Sequence, residues 1–170
     1  MKNKIYLILI LIVVCKVVHA QNESIIFMGK QITFGLSSAE FLNDNVGYNL
    51  NTDGNKYGEI KVYYKSISEE IESNSWFIIY VKFYNNKLFE MQIDERWAVM
   101  EDVKSIQELI KQFKVIKEET NNDEGGWYKQ YLEKGKLRAL YGGAGEGSFF
   151  TCNEIELLKE VQKKYPDYGK

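Results

Sequence analysis

Ser75-Trp76-Phe77-Ile78-Ile79-Tyr80-Val81-Lys82-Phe83-Tyr84-Asn85-Asn86-Lys87-Leu88-Phe89-Glu90-Met91-Gln92-Ile93 is the stretch that decides the fold. From Ser75 to Tyr84 the residues alternate as a strand does, yet both sides are apolar. Phe77, Ile79, Val81 and Phe83 form one side, and Trp76, Ile78 and Tyr80 the other. Such a strand belongs inside a sheet. Asn85-Asn86 tolerates the positive φ of a two-residue turn. The reading is a hairpin with Tyr84 opposite Lys87, Lys82 opposite Phe89, Tyr80 opposite Met91 and Ile78 opposite Ile93.

Working outward, Glu59 to Lys65 sets Ile60, Val62 and Tyr64 against Glu59, Lys61 and Lys65, a half-buried strand. Asp53-Gly54 marks an earlier turn. Trp127 to Tyr141 reads as a second hairpin turning at Glu133-Lys134-Gly135-Lys136, with one more strand starting at Val115. Helix starts are signalled where a Ser or Thr is followed three residues later by Glu, because the two side chains satisfy orphan amides reciprocally. Ser37/Glu40, Ser105/Glu108 and Thr151/Glu154 have that spacing. The second leads a stripe of Ile106, Leu109, Ile110 and Phe113, and the third a stripe of Ile155, Leu158, Val161 and Tyr165. Lys163 and Lys164 suit the last turn of that helix, and Pro166 ends it. Strands grouped in meanders with helices between the groups predict an α+β fold. The expectation is a single domain with a mainly antiparallel sheet, a meander plus a hairpin, and two to three helices packed on one face. The helix-then-strands stretches 37–94 and 105–141 have the outline of a duplication without residue-level repetition.

The chain has 170 residues, formal charge −2, 14% aromatic residues, one Pro and two Cys. Residues 1–20 divide as a secretory signal does: a basic Met1-Lys2-Asn3-Lys4, an apolar run from Ile5 to Cys15, and Val18-His19-Ala20 around a cut. The apolar run is too short for the roughly 20 residues a membrane span needs. A lipoprotein reading through Cys15 fits poorly, because Val14 stands where a small residue is required. The expectation is therefore a removed signal over 1–20, a domain over 21–170, and export to the periplasm or the medium with no stable membrane span.

Removing residues 1–20 leaves 150 residues with 19 basic and 24 acidic side chains, no histidine, and Cys152 as the single thiol. Ser-His-Asp and Cys-His pairs, a histidine base and the usual zinc sites are excluded on composition. The acidic balance and the lack of a basic cluster argue against nucleic acid. No metal or cofactor is implied.

Four features remain as candidates. Gly142-Gly143-Ala144-Gly145-Glu146-Gly147-Ser148 lies between a strand and a helix, but lacks the third glycine of a dinucleotide loop and the lysine of a triphosphate loop. It reads as a mobile connection whose one functional candidate is Glu146. Asn49 to Asn55 imitates half a calcium loop, but Ile60 stands where the bidentate Glu should be, so a turn is expected. Cys152 would open the last helix if Thr151 capped it, although a buried thiol fits better in the absence of a base. Glu69, Glu70 and Glu72, and Glu118, Glu119, Asp123 and Glu124, read as solvated loops.

Aromatic residues are the one unusual feature: Tyr63, Tyr64, Trp76, Tyr80, Tyr84, Trp127, Tyr128, Tyr131 and Tyr141 all fall on expected strands. A sheet covered on one side leaves alternate residues facing outward. Trp127, Tyr131 and Tyr63 are then candidates for an exposed binding surface. The expectation is a small exported binding protein, of inhibitor or immunity type and not an enzyme, whose partner is another protein. The alternatives are a carboxylate-dependent hydrolase of a cell-wall or other glycan, and an envelope accessory protein.

Overall fold

The structure is a computed structural model that describes residues 22–52, 56–68, 76–96, 104–122, 126–144 and 147–169. Strands β1 (Ser24–Phe27) and β2 (Lys30–Thr33) form a small hairpin. Helix α1 (Ser38–Asp44) follows, then β3 (Asn49–Leu50), β4 (Ile60–Ser68), β5 (Trp76–Tyr84) and β6 (Lys87–Arg96). Helix α2 (Lys104–Ile110) leads into β7 (Lys114–Asn121), β8 (Trp127–Lys134), β9 (Leu137–Ala144) and β10 (Gly147–Glu154), and α3 (Ile155–Lys164) closes the chain. The eight strands β3 to β10 make one antiparallel sheet in the order β3-β4-β5-β6-β10-β9-β8-β7. The fold is α+β, as the grouping of elements predicts. Each half runs helix, then four strands, and the halves meet at the β6–β10 seam, the arrangement a two-fold axis through that seam would generate.

β5 is interior, as its two apolar sides require, and Asn85 and Asn86 turn with φ of 48° and 58°. Tyr84 pairs with Lys87 as expected, but the register then shifts at Lys82/Phe83, so Lys82 faces Glu90, Tyr80 faces Gln92 and Ile78 faces Asp94. A β-bulge accounts for the difference. Without it, Glu90 and Gln92 would stand opposite Val81 and Ile79, on the buried side. With it, Met91 and Ile93 take those places and are fully buried.

Phe77, Ile79, Val81 and Phe83 define the covered face. Opposite them pack Ile25, Phe27, Ile32 and Phe34 from the N-terminal hairpin, Phe41 from α1, and Ile106 and Leu109 from α2. Each such side chain contributes roughly 1.5–3 kcal/mol on burial. Gln112 fastens the hairpin to the end of α2, taking the Ile26 amide at 2.8 Å and donating to the Ile26 carbonyl at 2.6 Å. Ser37 caps α1 through a capping box with Glu40, and Asn86 accepts from the Ser38 amide and hydroxyl, joining the helix to the β5–β6 turn.

Four expectations are corrected. The helices do not all lie on one face: Val161, Leu157 and Leu158 of α3 pack with Ile60, Tyr84 and Phe89 on the other side of the sheet. Thr151 does not cap α3, because β10 continues to Glu154, whose carboxylate takes the Leu157 amide at 2.7 Å. Ser105 lies inside α2, its hydroxyl buried without a partner among the described residues. The glycine-rich segment is no free connection: Gly142, Gly143 and Ala144 belong to β9, Gly147 and Ser148 to β10, and these strands pair out to Gly147 and Ala144. Gly142 is required there, because a Cβ would stand 2.5 Å from the Tyr128 carbonyl oxygen. The turn expected at Asp53-Gly54 and the cluster Glu69, Glu70 and Glu72 lie outside the described residues, as do residues 1–20. Among the described residues no helix is long and apolar enough to cross a membrane.

Candidate functional site: the open sheet face

Residues directly opposite in neighbouring strands share a side of the sheet, so the strand registers sort every aromatic side chain. Trp127, Lys129 and Tyr131 of β8 pair with Ala144, Gly142 and Leu140 of β9. Gly142 and Leu140 pair with Phe149 and Thr151 of β10, and these with Asp94 and Gln92 of β6. Asp94 and Gln92 pair with Ile78 and Tyr80 of β5, and Tyr80 with Tyr64 of β4. All belong to the side opposite the hairpin and α2. α3 crosses only the end of that side bearing Ile60, Tyr84 and Phe89. Trp127, Tyr131, Leu140, Phe149, Ile78, Tyr80 and Tyr64 are half-buried, flanked by strand neighbours with no element over them among the described residues.

Trp127 and Tyr131 stand about 13 Å apart along one strand. Lys129 Nζ lies 5.0 Å from the Trp127 ring centre, and Lys117 Nζ 5.4 Å from that of Tyr131. The Tyr131 hydroxyl donates to Glu119 at 3.1 Å, and Glu119 also pairs with Lys117. Hydrogen bonding from Lys117 and Tyr131 holds the Glu119 carboxyl below its ordinary range, and the same contact with Glu119 raises the Tyr131 phenol. Glu118 and Glu119 thus lie in a strand, where Gln130 Nε2 donates to Glu118 at 2.7 Å, and not in the loop expected for them. Asp123 and Glu124 lie outside the described residues.

Towards the centre a polar row runs across the face. Lys82 pairs with Glu90 and donates to Gln92 at 3.3 Å, and Gln92 donates to Asp94 at 2.8 Å. Glu90 is buried and also accepts from the Tyr168 hydroxyl at 2.9 Å, which fastens the C-terminal segment over that end of the sheet.

Of the four residues singled out from sequence, Trp127 and Tyr131 share the open face. Tyr63 does not: its register opposite Val81 turns it to the covered side, where its ring meets Phe83 edge-on at 5.7 Å. It packs against the core and cannot belong to the same surface. Glu146 lies outside the described residues. Tyr64, Tyr80 and Phe149 complete the face and were identifiable only through cross-strand register. Cys152 sits in β10 on the covered side, fully buried and not at the start of the last helix, and burial pushes its thiol far above the ordinary range. Among the described residues no three His, Cys, Asp or Glu side chains are placed to hold a metal ion.

No family model matches the chain, and no match is found among curated proteins or solved structures.

Proposed function

We propose that the chain is an exported binding protein, of inhibitor or immunity type, that engages another protein through the open face of its sheet. The observation that carries this reading is the half-buried row of Trp127, Tyr131, Phe149, Tyr80 and Tyr64 with no covering element among the described residues. Aromatic residues of this kind dominate binding energy when a partner completes their burial, because each removes a large area from water at little entropic cost. Lys117, Lys129 and Glu119 beside them provide charges that orient a partner and raise its association rate more than its affinity.

The test is capture on the immobilised protein from envelope and secreted fractions of the source cells, at low and high salt, in parallel with Trp127→Ala. A stoichiometric partner retained by the wild type at high salt and lost by Trp127→Ala is the expected result. A partner held equally by both removes this face from consideration. Absence of any partner, with hydrolysis or binding of a polysaccharide in a glycan panel, would replace the reading with the glycan alternative.

A further inference from the structure

The covered side of the sheet holds an opening that the proposed binding face does not use. Between the β1–β2 hairpin, the end of α1 and strand β4 lies a cavity of about 300 Å³. Its floor is Phe27, Ile32 and Ile79, none more than 4% exposed. Its rim carries Met28 and Val46, which are 40% and 69% exposed although both are apolar. An apolar cavity of about 150 Å³ is enough to hold a benzene ring, and ligand pockets begin near 300 Å³.

The charged groups that line it among the described residues are of one sign. Lys30 and Lys65 line the cavity and, among the described residues, no carboxylate does, in a chain whose acidic residues outnumber its basic ones. Lys65 Nζ donates to the Val46 carbonyl at 3.0 Å and lies 5.9 Å from the Tyr48 ring centre. An ammonium carries three donors, so further capacity remains for a ligand. Tyr48 is pushed up to about 12 by burial, so its phenol is a neutral hydroxyl at physiological pH.

An apolar floor, an apolar rim and two lysines with no carboxylate beside them among the described residues fit a ligand that enters with its hydrocarbon part and leaves a negative head at the mouth. We propose that this cavity binds a small amphipathic anion, an acyl-chain or aromatic carboxylate, with its apolar part on Phe27, Ile32 and Ile79 and its carboxylate at Lys65 and Lys30. The site is independent of the open face, since it lies on the other side of the sheet.

Titration of the purified protein with octanoate, octanol and octylamine, followed by amide and methyl chemical shifts, tests it. The expected result is saturable one-to-one binding of octanoate with shifts centred on Met28, Val46 and Ile67, at least about tenfold tighter than octanol. Val46→Glu alters only an exposed rim position and sets a like charge at the mouth, so it should weaken octanoate about tenfold or more. Lys65→Met should bring octanoate and octanol close to parity. Octanoate shifts that fail to saturate, shifts centred elsewhere, or octylamine binding as well as octanoate would each overturn the proposal.

Discussion

On β8, Tyr128 and Leu132 turn to the covered side of the sheet, while Trp127, Lys129 and Tyr131 turn to the open one. The two faces are built from alternate residues of the same strands, yet their chemistry differs. The covered face is aliphatic and phenylalanine-rich at its centre, with Phe77, Val81, Met91, Ile93 and Phe150 at or near zero exposure. The open face pairs its aromatic rings with lysines and a carboxylate, as at Trp127 with Lys129 and Tyr131 with Lys117 and Glu119. Phenylalanine has nothing to offer water, whereas Trp and Tyr carry a polar handle and tolerate a wet interface. One face is thus filled by side chains that bury completely within the chain, and the other keeps Trp127 and Tyr131 half-buried beside charged groups.

The sharpest way to break this comparison is on the covered face. Phe150→Ala leaves a cavity where the ring meets Phe113 at 5.9 Å, and should cost about 3–5 kcal/mol in urea denaturation. A loss under about 1 kcal/mol would mean that this face is not the core. Next comes the end of the other face that α3 and the C-terminal segment cover. Lys82→Met removes the cation paired with the buried Glu90 carboxylate and leaves it Tyr168 among the described residues, and about 3 kcal/mol should be lost in the same assay. A neutral outcome would place Glu90 in water.

Gly142→Ala probes the flatness of the open face itself. The added methyl meets the Tyr128 carbonyl and the Phe149 ring, so β8 and β9 must separate, at a cost of about 1–3 kcal/mol by thermal unfolding. An unchanged midpoint would contradict the close approach of Gly142 to the Tyr128 carbonyl. The smallest effect belongs to a helix start. Ser37→Ala removes the side-chain acceptor of the Glu40 amide and should cost about 1 kcal/mol. If the cost is nil, the cap is not formed in solution.

Much of this architecture was legible in the residues. The two-sided apolar run at 76–84 announces an interior strand, Asn85-Asn86 its turn, and Ser37/Glu40 a cap, because each signal is local. What was not legible depends on partners distant in the chain. The stripe of α3 says that a helix face is buried, but not against which side of the sheet, and the side differs from that of α2. The bulge at Lys82/Phe83 keeps Glu90 and Gln92 off the covered side, which follows only once that side is known. The N-terminal hairpin was missed because its turn uses Met28 at φ 51°, an uncommon turn former, and Gly29 alone signalled it.

The site divides in the same way. Trp127 and Tyr131 have the same parity on one strand, so their shared face was readable. Tyr63 belongs to another meander, and its side relative to β8 is set by five strand pairings through four intervening strands. Cys152 was placed on a helix start because Thr151 and Glu154 imitate a cap, although the apolar run Phe149-Phe150 before them continues a strand.

The most direct test is the affinity of the captured partner for Trp127→Ala and Tyr131→Ala, measured beside the unfolding midpoint of each variant. The account predicts at least about 2 kcal/mol of lost affinity for Trp127→Ala, roughly 30-fold, with the midpoint close to wild type, and a smaller loss for Tyr131→Ala. Unchanged affinity in both variants, with folding intact, would contradict the assignment of binding to the open face.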